Sequence, residues 1–146
     1  QTGDFTWLVN NHRARSGQKA GTINASGHIS IKLAGRRYYA HRLAWLITHG
    51  TWPSHVIDHI NGDPSDNRLV NIRDVPFCLN AQNLRKPPSN NQTSSFLGVS
   101  RYRSGKWKAK INVGGVQIHL GTFSTAEEAS EAYLRAKRAH HPGCTI

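Results

Sequence analysis

The stretch KPPSNNQTSS at residues 86–95 divides the chain into two segments of different composition. It is rich in Pro, Ser and Asn and has no apolar periodicity, which is typical of a linker. Because the chain has 146 residues, each flanking segment is close to the lower size limit for a domain with its own core. We therefore predict two small domains, at residues 1–85 and 96–146, joined by this linker.

The charge of the chain limits the kinds of partner it can bind. Lys and Arg together number 19 against 8 Asp and Glu, a formal net charge of +11. Such an excess favours a polyanion, either nucleic acid or an anionic membrane surface. The basic residues alternate with Trp, Tyr and strand-forming residues instead of lying along one amphipathic helix, so we expect nucleic acid and no membrane. No apolar run approaches the roughly 20 residues that span a bilayer, and no signal-peptide pattern is present.

Cysteine and histidine spacing gives no sign of a structural metal site. Cys78 and Cys144 form neither a CxxC pair nor a Cys/His cluster at zinc spacing, so we expect no structural zinc, no disulfide framework and a reducing cytoplasm. Six histidines also lack a recognisable ligand spacing: His12, His28, His49, His55, His140 and His141.

The first segment has the pattern of a β meander followed by a helix. Residues 20–40 alternate in polarity and contain turn signals at Ser26-Gly27 and Ala34-Gly35. HRLAWLITHG, residues 41–50, predicts a helix that ends at its glycine.

The rest of that segment predicts a strand, a loop and a short helix. SHVIDHI, residues 54–60, resembles a short strand that enters an Asn-rich loop, and residues 76–85 favour a helix beginning near Pro76.

The second segment predicts three strands and a helix. Ser104-Gly105 and Gly114-Gly115 are good hairpin turns between strands. STAEEASEAYLRAKRAH, residues 124–140, predicts a helix capped by Ser124 or Thr125, with an acidic residue completing the capping box. The overall class is therefore α+β, with a three-stranded antiparallel sheet packed on one helix at the C-terminal end.

One face of that predicted sheet is basic. Strand alternation places Trp107, Ala109, Ile111 and Val113 on one face and Lys106, Lys108, Lys110 and Asn112 on the other. We expect Arg101, Tyr102 and Arg103 to flank the basic face. A sheet with regularly spaced donors can lie in a DNA groove, with cations on phosphates and planar groups on base edges. The alternative is a merely solvated face, and the near absence of acidic residues from 96 to 123 counts against it.

Residues 97–140 resemble an AP2-type DNA-binding domain. The matching motifs are G-V, G-K-W, L-G-T-F and T-x-E-E-A-x-x-A-Y. The resemblance implies that the sheet enters the major groove of double-stranded DNA. It also implies contacts from Ser100, Tyr102, Lys108, Lys110, Asn112 and His119. Several of these positions hold Arg or Trp in plant members, so the target sequence cannot be transferred.

Asp58 and His59 stand together at the end of a short apolar run and are followed by an Asn-dense stretch. One interpretation is a turn in which the asparagines satisfy loop backbone groups. The other is chemical. A hard cation prefers carboxylate and carbonyl oxygens, and an adjacent His can accept a proton from water near neutral pH. Those groups together could hydrolyse a phosphodiester with one metal ion.

Residues 58–83, DHINGDPSDNRLVNIRDVPFCLNAQN, resemble the HNH (ββα-metal) nucleases, in the branch of phage and intron-encoded homing endonucleases. AHRLAW, which includes His41, also fits that branch. The resemblance implies that His59 is the general base. It implies that Asn71, 12 residues later (71 − 59), holds the loop after His59. Asp58 and Asn80 would bind one Mg²⁺ or Mn²⁺ ion, with Asn83 as the alternative to Asn80.

The two resemblances together predict a site-specific DNA endonuclease in the cytoplasm of a bacterium or a phage-infected host. Each active site would cut one strand and leave 5′-phosphate and 3′-hydroxyl ends, without a small-molecule cofactor. Arg68 and Arg73 are candidate phosphate clamps, although a surface role is an equal alternative. Further basic residues are candidate contacts to the DNA backbone: Arg13, Arg15, Lys19, Lys32, Arg36, Arg37 and Arg42.

Three questions stay open at this stage. The chain could instead be a DNA-binding regulator with an inactive HNH remnant, or an RNA-binding module. A monomer and a dimer are both compatible with the sequence, and so are a nick and a double-strand break.

Overall fold

The structure is a computed structural model that describes residues 2–10, 14–87 and 93–146. Within these ranges it has antiparallel sheets and three α-helices, which confirms the α+β class. The contacts divide the chain into two compact units, residues 1–77 and 78–146. Part of the predicted linker, residues 88–92, lies outside the described residues. No helix in the described ranges is long and apolar enough to cross a membrane.

The first unit begins with the predicted meander. Its strands pair antiparallel in the order β1-β2-β3. They are β1 (Thr22–Ile23), β2 (Ile29–Leu33) and β3 (Arg36–Tyr39), followed by helix α1 (Ala40–His49). A small apolar core of Ala20, Ile31, Ala40 and Leu43 joins the sheet to the helix. Helix α1 ends as predicted at Gly50, whose φ of 74° is costly for other residues.

A second, two-stranded sheet in this unit carries the Asp-His pair. It consists of β4 (Val56–His59) and β5 (Ile72–Val75), which pair antiparallel. A single 3-10 turn (Leu69–Asn71) leads into β5. Residues 72–75 have no strand signal of their own, because the segment is short and follows an Asn-rich loop. Its pairing with β4 makes it a strand.

The second unit contains the predicted three-stranded sheet and helix. Its elements are α2 (Phe77–Gln82, whose first residue belongs to the first unit), β6 (Val99–Arg101), β7 (Trp107–Val113), β8 (Val116–Phe123) and α3 (Ala126–His140). The strands are antiparallel in the order β6-β7-β8, with a register shift between Ala109 and Lys110. Thr125 and Glu128 form a capping box at the start of α3.

Small residues allow α3 to lie close to the sheet. Ala109 and Ala129 are completely buried in a cluster that includes Val99 and Ala126. Phe96, Trp107, Leu120 and Phe123 surround this cluster. The outer face of the sheet is thereby left for the basic residues.

Candidate active site

Asp58 and His59 are the last two residues of β4, and both are buried, with 4% and 6% of their surface exposed. Strand pairing puts Asp58 opposite Arg73 on β5. Arg73 donates from Nε and Nη2 to Oδ2 of Asp58, at 2.8 and 2.7 Å. A buried carboxylate is stable only when it is paired or hydrogen-bonded. Arg73 therefore holds the Asp58 carboxylate through hydrogen bonds. Its role as a phosphate clamp stays a prediction.

Asn71 holds the loop that follows His59. Its Oδ1 accepts from the backbone N–H of Asn61 at 2.9 Å, and its Nδ2 donates to the carbonyl of Asp66 at 2.8 Å. Its own carbonyl accepts from the N–H of Ile60 at 2.8 Å. Because Asn71 is 5% exposed, these bonds are shielded from water and fix the path of the chain immediately after His59.

Asn67 contacts the ring of His59 directly. Its Oδ1 lies 3.3 Å from His59 Nε2, and its Nδ2 donates to the carbonyl of Ser65 at 3.2 Å. Asn67 is 1% exposed. A Cβ atom on Gly3 would meet its backbone at 2.3 Å, so the N-terminal segment covers it closely. The sequence marked Asn67 as part of an Asn-rich stretch but gave it no role.

The His59 side chain is one of a cluster of three imidazoles, together with His28 and His41. The ring centroids of His28 and His41 lie 5.6 and 5.1 Å from that of His59, and 5.2 Å from each other. One potential ligand atom from each lies within 4.8 Å of the others. His28 precedes β2, His41 is in the first turn of α1, and His59 ends β4.

The environment of this cluster disfavours protonation of two of its members. Burial, followed by the charges of His59, His28 and Arg42, lowers the pKa of His41 to about 3. Burial and the charge of His59 also lower the pKa of His28. Tyr39 stacks on His41 at 5.3 Å with an interplanar angle of 12°. His41 is thus a neutral imidazole held next to the candidate base.

Arg68 makes its contacts within the loop that follows His59. Its Nη2 and Nε lie 2.6 and 2.7 Å from the carboxylate oxygens of Asp66, which also accepts from Asn61 Nδ2 at 2.9 Å. These hydrogen bonds, those from Arg68 foremost, lower the pKa of Asp66 to about 2. The clamp role predicted for Arg68 has not been tested.

Asn80 and Asn83 lie on and just after α2, in the second unit. Asn83 is 5% exposed, and its Oδ1 accepts from the hydroxyl of Thr145. Lys137, 1% exposed, donates from Nζ to the carbonyl of Leu84. The C-terminal residues of the chain therefore hold the segment that follows α2. Assignment of Asn80, or of Asn83, as a metal ligand stays a prediction.

The outer face of the β6-β7-β8 sheet brings together most of the predicted DNA contacts. Directly opposite residues of antiparallel strands point to the same side. The pairs on this side are Ser100 with Lys108, Lys110 with His119 and Asn112 with Gln117. Lys110 Nζ donates to Gln117 Oε1 at 2.6 Å, and Lys108 Nζ lies 5.3 Å from the centre of the Tyr102 ring.

Arg101 differs from the expectation that it flanks this face. It pairs with Trp107, and its guanidinium carbon lies 5.5 Å from the centre of that ring. Because Trp107 packs against the α3 core, Arg101 lies on the opposite side of the sheet from Lys108. Arg103 is exposed in a single 3-10 turn (Arg103–Gly105).

Basic side chains of the first unit line an open cavity of about 760 Å³. Lys19, Lys32 and Arg37 line it together with Trp7 and Ser30. Arg36 is exposed at the start of β3. Of the other candidate backbone contacts, Arg13 lies outside the described residues, and Arg42 lies over the Trp52 ring at 5.7 Å.

Comparison with known families agrees with the two resemblances. Residues 38–85 match the HNH endonuclease family. The match includes α1, the β4-β5 sheet and α2, and hence all four residues of the predicted catalytic set: Asp58, His59, Asn71 and Asn80. It crosses the division between the two compact units at residue 77.

Curated proteins that match this chain include plant transcription factors. An ethylene-responsive transcription factor-like protein of Arabidopsis thaliana is 40% identical over 83 residues, covering 53% of this chain and 36% of its own. The ethylene-responsive transcription factor ERN1 of Medicago truncatula is 45% identical over 50 residues, which are 33% of this chain and 19% of its own. An AP2-like ethylene-responsive transcription factor of Arabidopsis thaliana, AIL5, is 49% identical over 43 residues, which are 27% of this chain and 8% of its own.

The chain thus spans about a third or less of the length of these relatives. No solved structure matches. The comparisons support an HNH endonuclease domain together with a DNA-binding domain of AP2 type, and both kinds of domain bind DNA. They leave the phage or intron branch of the family, the metal and the oligomeric state untested.

Within the segment that matches the HNH family, the structure places Asp58, His59 and Asn71 close together. It adds the contact of Asn67 with His59, the neighbouring rings of His28 and His41, and the pairing of Arg73 with Asp58. Asn67, Arg73 and His41 all occur in the HNH-like pattern, whereas His28 had no sequence signal.

Proposed function

We propose that the chain is a metal-dependent, site-specific DNA endonuclease of the homing type, in which the HNH domain cuts and the AP2-like sheet selects the site. The observation that carries the proposal is the setting of His59. It ends a strand beside a buried carboxylate, and Asn71 fixes the loop that follows it through hydrogen bonds to Asn61 and Asp66.

In the proposed mechanism His59 accepts a proton from the water that attacks the phosphorus in line with the leaving 3′-oxygen. Histidine is suited to this role because its ordinary pKa is close to neutral. The Asn67 side chain, 3.3 Å from His59 Nε2, orients the ring. The leaving 3′-oxygen takes a proton from solvent, so the products carry 5′-phosphate and 3′-hydroxyl ends.

The proposed ligands of the metal are the carboxylate of Asp58 and the side-chain oxygen of Asn80, with Asn83 as the alternative. Carboxylate and amide oxygens are the donors that Mg²⁺ and Mn²⁺ prefer, so the residues fit such an ion. When bound, the ion supplies Lewis-acid stabilisation of the charge that develops on the phosphate. A single protein carboxylate favours one metal ion over two. Arg73 keeps the Asp58 carboxylate oriented.

The proposed reader is the outer face of the C-terminal sheet. Lys108 and Lys110 would neutralise phosphates, while Asn112 and His119 would meet base edges. Tethering this sheet to the nuclease raises the local concentration of the active site at the selected sequence.

The test is incubation of supercoiled plasmid with the full chain and Mg²⁺ or Mn²⁺. We expect conversion to open circles, loss of cutting with EDTA and loss of cutting in His59→Ala with DNA binding nearly intact. His140→Asn, which changes an exposed histidine at the end of α3, is the control. Linear product would indicate paired action of two copies. Equal loss of binding and cutting in His59→Ala would contradict its assignment as the base.

A DNA-binding regulator is the second candidate, favoured by the names of the plant relatives. It predicts tight, sequence-selective binding without cutting of any DNA under any metal condition. An RNA-binding role is distinguished by competition, because a sheet that fits the major groove of B-form DNA cannot enter the narrow major groove of duplex RNA.

A further inference from the structure

We propose that His28, His41 and His59 form a second metal site, specific for a transition-metal ion such as Zn²⁺ that prefers imidazole nitrogen. A metal ion bound there would prevent His59 from acting as a base. The inhibitory half of this inference rests on the proposed nuclease function. The binding half concerns the three histidines alone.

The geometry of the cluster is close to that of a three-histidine site. The three candidate ligand atoms lie within 4.8 Å of one another. In a tetrahedral zinc site with Zn–N bonds of about 2.0 Å, ligand nitrogens are ~3.3 Å apart. The cluster therefore needs to contract by at most ~1.5 Å, which small side-chain rotations can provide. Three protein ligands would leave a fourth position for water.

The state of His41 is an independent observation in favour of a ligand in this cluster. His41 is 6% exposed, and within the described residues its buried Nδ1 has no hydrogen-bond partner. A buried polar nitrogen without a partner is costly, and such groups in folded proteins usually have a functional explanation. Coordination of a metal ion would satisfy a nitrogen in this position.

The side chains of Ser26 and Asn67 orient the rings of His28 and His59, respectively. Ser26 Oγ lies 3.0 Å from His28 Nδ1, and Asn67 Oδ1 lies 3.3 Å from His59 Nε2. Metal-binding histidines almost always have such a partner on their second ring nitrogen, because it fixes the tautomer and the ring orientation.

The donor type separates this site from the one proposed for Mg²⁺. Three imidazoles without a carboxylate suit Zn²⁺, Co²⁺, Ni²⁺ or Cu²⁺, whereas Mg²⁺ prefers oxygen. The ligand group of the cluster contains only the three histidines and no carboxylate. A His59 nitrogen bound to a metal ion cannot accept a proton from water, so the same histidine would serve either hydrolysis or capture of a transition metal.

The first experiment measures binding without reference to activity. The metal-free full chain is titrated with Co²⁺, and the visible d–d absorption of the protein-bound ion is followed. We expect saturation near one Co²⁺ per chain and loss of the bands when Zn²⁺ is added. His28→Asn and His41→Gln should each bind Co²⁺ at least tenfold more weakly, and the control His140→Asn should bind as the wild type does.

Either of two results would overturn the site. One is the absence of saturable Co²⁺ absorption in the wild type. The other is unchanged affinity in His28→Asn, whose half-buried position lets the variant fold and whose circular dichroism spectrum verifies this.

The second experiment adds increasing Zn²⁺ to the Mg²⁺-supported plasmid assay. We expect inhibition of the wild type, and at least a tenfold higher inhibitory Zn²⁺ concentration for His28→Asn measured against its own uninhibited rate. Equal sensitivity of the two proteins would contradict the inhibitory role. If no DNA is cut at all, the proposed function fails, while the Co²⁺ titration still decides the metal site.

Discussion

The guanidinium of Arg73 contacts Oδ2 of Asp58 through two nitrogens, with Nε at 2.8 Å and Nη2 at 2.7 Å. The Asp58 side chain is 5% exposed and that of Arg73 is 28% exposed, so the pair is shielded on the carboxylate side. Removal of the cation would leave a buried negative charge without its main partner.

Arg73→Met should therefore destabilise the first unit by about 1–3 kcal/mol, the usual range for loss of a hydrogen bond to a charged group. Arg68→Met removes an ion pair of similar geometry with Asp66, but there the arginine side chain is 53% exposed and the carboxylate 15% exposed, so its loss should cost less. Urea unfolding of both variants checks the comparison. An equal loss of unfolding free energy in the two variants would show that the burial of Asp58 does not increase the contribution of its ion pair to stability.

Asn71→Ala should destabilise the fold by about 2–4 kcal/mol, because it removes an acceptor for the Asn61 N–H and a donor to the Asp66 carbonyl in a buried position. Asn71→Asp keeps the acceptor for the Asn61 N–H but places a charged oxygen against the Asp66 carbonyl in a buried position, so it should destabilise the fold at least as much. Denaturant midpoints give the order of the two variants. Equal stability of the alanine variant and the wild type would contradict the role of Asn71 in holding the loop.

Gly98→Ala should be among the most damaging single-methyl changes in the second unit. A Cβ at this position would lie 2.1 Å from the Tyr133 ring and 2.6 Å from the Lys110 carbonyl, at a φ of 66°. Gly105→Ala is the matched control, because its φ of 74° carries the same backbone strain while nothing lies within 4 Å. We expect about 1 kcal/mol for the control, from the left-handed backbone alone, and several kcal/mol for Gly98→Ala. Thermal unfolding distinguishes them.

Lys110→Gln should weaken DNA binding and lower the slope of log K against log salt by about 0.9, the value for one phosphate contact. Arg101→Gln removes the same charge from the opposite side of the sheet and should leave that slope unchanged. Binding titrations between 50 and 200 mM salt on one duplex measure both. An equal reduction for the two variants would mean that the DNA does not lie on the face defined by Lys108 and Lys110.

Local signals predict most of the regular elements of this chain. The hairpin turns at Ser104-Gly105 and Gly114-Gly115, the capping box at Thr125 and the helix end at Gly50 each depend on residues close in sequence, and each is confirmed. Strand β5 could not be predicted in this way, because its four residues become a strand only by pairing with β4.

The candidate site likewise has a part that the sequence predicts and a part that only the folded structure reveals. The HNH resemblance predicts that Asn71 holds the loop after His59, and its hydrogen bonds to Asn61 and Asp66 are of that kind. The histidine cluster has no sequence signature, because its members are 13 (41 − 28) and 18 (59 − 41) residues apart. They come from three different elements and meet only in the folded unit.

The hydrogen bonds of Lys137 and Thr145 to residues 83 and 84 matter for any experiment that separates the HNH-like segment from the rest of the chain. A fragment that ends at residue 85 would keep the whole segment that matches the HNH family and lose the side chains that hold the end of that segment in place. Grafts onto another reader should therefore carry the last ten residues of this chain, or supply a substitute for them.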